Sequence, residues 1–420
     1  MKSRWLPGCL AALLTFAAAA AMAASDDPTY GIIAKHKASS AVPISDEGHR
    51  IVYGSPKAPV AVEAFYPLRA GGEGHEWVFE YGYSLVTAFP GKVRFVAYDI
   101  ATPRGGEVWQ ERGLTCGAFL VNGKHEVTVN GKRLSFLRST TMSGWTLGQL
   151  KAAVAAEIAR PRPARAAAPK KPARPAKQTV IHVTVPCGLA GPYGEIVHLF
   201  RARHPEIRVA TAANGIVAML NQLRDGKMTS DVFIALGLRE LDDPDAKKRL
   251  VSDSLTPIAT IPLALVVPKA NPAGIHTLED LTSPKAKTIL TYSYNLSGGY
   301  GARQALQKAG LWESINSKIV TPKVPDQCKQ MLKTGKGQVA IIYSTCLKES
   351  YLPDKPPVIE KDLKVAQVIP ENLYSPVVIG GAVVKGSKNA AAAKTFIDFL
   401  RSEAAMKVWL DWGFTRLPGA

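Results

Sequence analysis

Apolar and polar positions alternate through Val60-Ala-Val-Glu-Ala-Phe-Tyr66, a strand pattern; the spacing predicts a helix over residues 76–86 and a second strand over 93–98. Residues 117–121 and 126–129 flank Asn122-Gly123, and Asn130-Gly131 follows. Such Asn-Gly pairs favour tight hairpin turns. A helical pattern over 147–158 closes this first unit, which spans about 45–158.

Residues 159–178 break the pattern, with five prolines, seven cationic residues and no acidic one. They read as a linker, extended enough for its two flanking modules to stay apart. Beyond it, strand patterns recur at 179–185, 207–211, 231–236, 261–267, 288–292, 338–344 and 377–384. Helical patterns lie between many of them: Tyr193, Val197 and Phe200 share one face, as do Ile216, Met219, Leu220 and Leu223. Alternating strands and helices imply an α/β fold with parallel sheets. The proline-rich turn at 268–272 and the return of a strand near 377 suggest two lobes, lobe 1 at about 179–262 and 378–420 and lobe 2 at about 263–377. No internal repeat is visible.

Composition places the 420 residues among globular proteins, and the formal charge of +18 changes the picture little. Lys2, Arg4 and the linker account for half of it, so no folded basic face and no nucleic-acid partner are expected. Lys2 and Arg4 precede an apolar run from Leu10 to Ala21 that ends at Ala21-Met22-Ala23, the pattern of a cleaved secretory signal over 1–23. The run is shorter than the ~20 apolar residues of a spanning helix. Leu6-Pro7-Gly8-Cys9 is no acylation box, because the apolar core follows Cys9. The mature protein is therefore expected in the periplasm. Of the remaining cysteines, Cys116, Cys187, Cys328 and Cys346, no two form a Cys-x-x-Cys pair. Cys328 with Cys346 is the first pair to test for a disulfide.

Candidate chemistry lies where strands give way to helices, since ligands of open α/β sheets bind beyond strand carboxyl ends. The turns are Pro186-Cys187-Gly188, Ala213-Asn214-Gly215, Asn295-Leu-Ser297-Gly298-Gly299, Val324-Pro-Asp-Gln327 and Tyr343-Ser344-Thr345. Free amides at helix starts suit a small anion, glycines allow close approach, and Asn214, Ser297 and Tyr343 carry donors. Gly and Asn are also ordinary turn residues, Tyr343 equally suits a core, and Cys187 equally suits packing. The eight histidines show neither metal-ligand spacing nor a Ser-His-Asp signature, so no metal, cofactor or enzymatic activity is expected.

Two resemblances sharpen these expectations. The 45–158 order, with Gly113-Leu-Thr-Cys-Gly-Ala-Phe-Leu-Val-Asn-Gly-Lys124, resembles a thioredoxin-like domain, but Pro67-Leu-Arg-Ala-Gly-Gly-Glu-Gly stands where that family has its Cys-x-x-Cys. Cys116 or its neighbour stands at the usual cis-proline position, so a thiol or redox protein acting through Cys116 is one alternative. Residues 179–420 resemble the periplasmic molybdate-binding proteins of ABC importers, of the type II solute-binding class. The matching stretches include Ile181-His-Val-Thr-Val185, Ser230-Asp-Val-Phe-Ile234, Arg303-Gln-Ala-Leu-Gln-Lys-Ala-Gly-Leu-Trp312, Val339-Ala-Ile-Ile-Tyr343 and Trp412-Gly-Phe-Thr415. The resemblance implies a monomeric, non-enzymatic protein that closes on a tetrahedral oxyanion of the molybdate or tungstate type and delivers it to an ABC permease in the inner membrane. It implies a ligand set drawn from Cys187, Gly188, Asn214, Gly215, Ser297, Gly298 and Tyr343. The family's first serine falls on Gly188, its second in Asn214-Gly215-Ile216 where no hydroxyl occurs, and one amide donor on Pro325. An envelope sensor or interaction protein is the other alternative.

Overall fold

The computed structural model describes residues 28–39, 42–68, 75–115, 117–138, 145–160, 178–322, 327–349 and 358–419. The leader, most of the linker, Cys116 and the Pro325 position lie outside the described residues. The N-terminal module comprises helix α1 (Pro28–Ser39), strands β1 (Ile44–Asp46), β2 (Arg50–Tyr53) and β3 (Val60–Tyr66), helix α2 (Trp77–Ala88), β4 (Val93–Asp99), α3 (Pro103–Glu111), β5 (Ala118–Val121), the hairpin β6 (Glu126–Val129) and β7 (Lys132–Ser135), and α4 (Leu147–Ala159). Its sheet runs β1-β2-β4-β3-β5, with β3 and β4 parallel and the other neighbours antiparallel. Asn122 and Asn130 take positive φ and are each followed by a glycine that does the same, the geometry a two-residue hairpin turn demands. Thr146 and Gln149 cap α4 reciprocally. No helix was expected over α3, whose start is capped by Thr102 with proline at the first helical position.

The C-terminal module is built as two lobes, each on its own five-stranded sheet. One sheet runs β11-β19-β10-β8-β9, built from β8 (Thr179–Pro186), β9 (Ile207–Asn214), β10 (Val232–Ala235), β11 (Thr256–Ile261) and β19 (Val377–Val383). The other runs β14-β13-β15-β12-β18, built from β12 (Leu263–Pro268), β13 (Ile289–Thr291), β14 (Ile319–Val320), β15 (Val339–Tyr343) and β18 (Leu363–Val368). A short ribbon joins β16 (Lys348–Glu349) to β17 (Val358–Ile359). Strands of both central sheets are buried on both faces, so β10 and β15 read as unbroken apolar runs instead of alternating ones. The helices used below are α5 (Ala190–Arg203), α6 (Ile216–Arg224), α7 (Ser297–Lys308), α8 (Gln327–Lys333), α9 (Ala390–Phe399) and α10 (Glu403–Asp411).

The single strand expected over 261–267 is in fact two. Ile261 ends β11 in lobe 1 and Leu263 begins β12 in lobe 2, with Pro262 alone between them. Proline has no N–H to continue a ladder, so the chain changes sheets there. Leu263 N–H donates to the Tyr374 hydroxyl (3.0 Å), and Ile369 N–H donates to the Leu263 carbonyl (2.8 Å), which ties the outgoing crossing to the returning one.

The two modules touch, contrary to the separation that the linker allows. Helix α3 lies across β9, the edge strand of the lobe 1 sheet. Gln110 Nε2 donates to Thr211 Oγ1 (2.5 Å), Arg201 donates to Gln110 Oε1 (3.2 Å), and Ala213 N–H donates to the Ile100 carbonyl (2.9 Å). Phe65, Tyr98, Ile100, Trp109 and Leu114 join the same apolar core as Ile181, Tyr193 and Val209. An exposed strand edge invites foreign pairing; here the N-terminal module covers it.

Glu107 pairs with Arg208 across this interface and with Arg104 on its own helix. Burial alone would raise the Glu107 carboxyl, but the two arginines hold it below the ordinary carboxylate range. A depressed carboxylate contributes stability above its unfolded pKa and loses it as pH falls through the folded value. Docking should therefore loosen on going from about pH 6 to about pH 3.5. Small-angle scattering is expected to show a larger radius of gyration in acid, and Glu107→Gln should already show it at about pH 6; an unchanged radius in both cases would contradict the assignment.

Candidate functional site

In each lobe, two adjacent parallel strands deliver candidate residues to one end. In lobe 1, Pro186 of β8 pairs with Asn214 of β9, which sets Cys187 and Gly188 beside Gly215. Cys187–Leu189 forms a 3₁₀ turn leading into α5, and its Cys187 is exposed. Gly215 caps α6 with no side-chain hydrogen bond from its own residue type, and its N–H is taken by Asn214 Oδ1 (2.8 Å). Asn214 is 2% exposed, and its Nδ2 has no hydrogen-bond partner among the described residues. A buried amide left so costs about 1–3 kcal/mol, which makes Asn214 a donor available to a ligand.

In lobe 2, β13 and β15 are parallel neighbours, with Thr291 opposite Ile341. β13 leads through Tyr292 and the 293–296 loop into α7, while β15 ends at Tyr343. Ser297, Gly298 and Tyr343 come together here. A Cβ built on Gly298 would lie 2.7 Å from the Tyr343 hydroxyl oxygen and 2.5 Å from the Tyr292 ring. Only glycine fits at that position. Tyr292 and Tyr343 pack with ring centroids 4.9 Å apart, and the Tyr292 hydroxyl lies 3.2 Å from Cys346 Sγ. Burial pushes both phenols well above their usual pKa, so Tyr343 stays a neutral hydroxyl. Tyr343 is followed by a 3₁₀ turn, Ser344–Leu347, and not by the α-helix its sequence suggests. Cys328 and Cys346 are not joined: Cys328 Sγ faces the Thr291 carbonyl at 3.9 Å and Cys346 faces Tyr292.

Sequence reasoning missed the residue that links the lobes at this point. The 3₁₀ turn Leu238–Leu241 follows β10 of lobe 1 and carries Glu240, 4% exposed. Its Oε1 accepts the Ser297 N–H (2.9 Å) and its Oε2 accepts the Ser297 hydroxyl (2.5 Å). Gly237 brings this turn so close that any Cβ there would strike Ser297. Burial raises the Glu240 carboxyl, and the Ser297 hydrogen bonds offset this only in part. The available signal was a lone acidic residue inside Gly237-Leu-Arg-Glu-Leu241, just past a strand end. Beside it, a cavity of about 510 Å³ is lined by Val217, Leu220, Arg239, Glu240, Asn295 and Leu296 among others, so α6 of lobe 1 and the 293–296 loop of lobe 2 share its walls. Arg239 stacks over Tyr300 (4.1 Å), a further contact across the lobes.

The site thus offers neutral donors at the start of a twelve-residue helix, beside a buried phenol and at a seam between lobes. Such a set solvates a compact anion through peptide dipoles and hydroxyls. Among the described residues, no helix is long and apolar enough to cross a membrane.

A family model described as bacterial extracellular solute-binding protein matches residues 181–415. The chain is 26% identical over 225 residues to YvgL of Bacillus subtilis, provisionally named an ABC transporter substrate-binding lipoprotein; the match covers 53% of this chain and 80% of YvgL. It is 24% identical over 225 residues to the molybdate-binding protein ModA of Haemophilus influenzae, covering 51% of this chain and 82% of that one. Among solved structures, the periplasmic molybdate-binding protein of Azotobacter vinelandii aligns with a TM-score of 0.47 and 16% identity, over 57% of this chain and 99% of its own.

Proposed function

Because the chain belongs to the bacterial extracellular solute-binding proteins, a family of transport components, we propose that residues 179–420 capture a small oxyanion of the molybdate or tungstate type and hand it to an ABC permease outside the cytoplasm. The observation that carries this reading is the meeting of Ser297, Gly298 and Tyr343 at the inter-lobe seam, where the Ser297 N–H and hydroxyl already hold the Glu240 carboxylate. Similarity to molybdate-binding relatives at 24% identity supports the class of ligand. Cys187, Gly188, Asn214 and Gly215 are assigned to the lobe 1 side of the same site, with the orphaned Asn214 amide as the principal donor. No cofactor or catalytic step is part of this reading. The 45–158 module is assigned as a thioredoxin-like domain without its redox dithiol, and 1–23 as a cleaved signal.

Calorimetric titration with molybdate, tungstate, sulfate and phosphate tests the proposal. One-to-one binding of one or more of them is expected; no heat and no thermal shift with any would remove it. Tyr343→Phe should weaken the bound oxyanion about 10- to 100-fold, since a hydrogen bond to a charged group contributes ~1.5–3 kcal/mol. An unchanged affinity would take Tyr343 out of the site.

A second reading, an envelope sensor, is favoured by one contact. Ala213, the residue before Asn214, is hydrogen-bonded to Ile100 of the N-terminal module, so occupancy of lobe 1 has a direct mechanical path to that module.

A further inference from the structure

In lobe 2, the anion cradle is filled by the protein itself. Ser297 and Gly298 are the first two residues of α7, and their amides have no partner within the helix. The Ser297 amide and hydroxyl both go to Glu240. Glu240 comes from the other lobe, and its two carboxylate oxygens take the two Ser297 donors as two oxygens of a bound oxyanion would. Nothing in the local packing alone requires a carboxylate here. Leu238 and Leu241, on the same turn, pack with Ile216, Leu220, Phe233 and Leu250 and would fix the turn without it. Burying a carboxylate is costly unless it is hydrogen-bonded, and this one draws on the same Ser297 donors that a solute would need. Arg239, the adjacent cation, is directed over Tyr300 and toward the Asn295 carbonyl.

We propose that Glu240 is a resident anion: it occupies the lobe 2 subsite, latches lobe 1 to α7, and sets an affinity threshold by requiring any solute to displace it. This rests on the reading that the seam is the ligand site. A tethered competitor multiplies the apparent dissociation constant of every external anion by the same factor, because the receptive state is only a fraction of the population. Weakly held anions are thereby excluded, and only one that uses donors from both lobes can close the site again. Glu240 is a positioning residue, and it reacts with nothing.

The test uses the full chain with Glu240→Ala, which leaves a hole the size of an acetate or formate at Ser297. Added acetate or formate should raise the melting temperature of Glu240→Ala saturably, at constant ionic strength set with chloride, and should leave the wild type unmoved. An equal response of both proteins, or none in Glu240→Ala, overturns the proposal. Glu240→Gln keeps the shape and removes the charge, so it holds Ser297 less strongly. It should bind the same oxyanion about tenfold more tightly than the wild type; weaker binding would make Glu240 a partner of the ligand and overturn its role as competitor. Acetate rescue with no oxyanion bound by either protein would preserve the resident carboxylate and remove the oxyanion reading. Tight oxyanion binding by the wild type without acetate rescue would do the reverse.

Discussion

Gly106→Ala should undock the N-terminal module from the rest of the chain. A Cβ built on Gly106 would collide with the Thr211 carbonyl oxygen, which is backbone in β9 and cannot rotate away. Overpacking of a close contact costs about 1–3 kcal/mol, and more where rigid backbone is struck. The interface offers no easier response than separation, since each module keeps a sheet of its own. Trp109, 3% exposed and on the docked helix, would become wet. Acrylamide quenching of tryptophan fluorescence and the scattering radius should both increase, while the far-ultraviolet circular dichroism stays near that of the wild type. Unchanged quenching would show that α3 can slide and accept the methyl group.

Gly299→Ala should have the largest effect at the site. The added Cβ would strike the carbonyl oxygens of Ser293 and Tyr292, both backbone atoms of the loop that feeds α7. The helix start would have to lift from its floor, taking the Ser297 and Gly298 amides with it. A loss of about 3 kcal/mol, the upper end for overpacking, is expected in chemical denaturation, along with loss of any measurable oxyanion binding. If stability fell but affinity held, the ligand would not be using the α7 amides.

Much of this fold was legible because buried strands and amphipathic helices leave periodic traces. The expected strands at 60–66 and 126–129 match the observed ones, and 147–158 falls within α4. Two failures have the same physical origin, a residue whose local preference opposes its tertiary role. Gly105 and Gly106 weaken the helical signal of residues 103–111, yet they let α3 lie against the Asp99 and Thr211 carbonyls, where a side chain would not fit. Thr102 and Pro103 did mark its start, since Thr102 Oγ1 accepts the Gly105 N–H (3.1 Å) and proline suits the first helical position. Apolar content ran straight through Pro262, so one strand was inferred where two sheets meet.

At the site, turn chemistry pointed to Ser297, Gly298 and Tyr343 because turns after neighbouring strands of one sheet meet at the strand ends. Glu240 escaped notice for an equally physical reason. A search for anion binders passes over carboxylates, and only the fold shows that this one takes both Ser297 donors.

The double stitch at Leu263 has a mechanical consequence. Two covalent crossings bound to each other by the Tyr374 hydroxyl and the Ile369 amide behave like a door pin: they permit swinging and resist shear. Opening is thereby reduced to a single angular coordinate, and the N-terminal module, fastened to β9, turns as one piece with its jaw. A pair of dyes, one on that module and one on the opposite jaw, would therefore read the gape of the whole molecule as one distance.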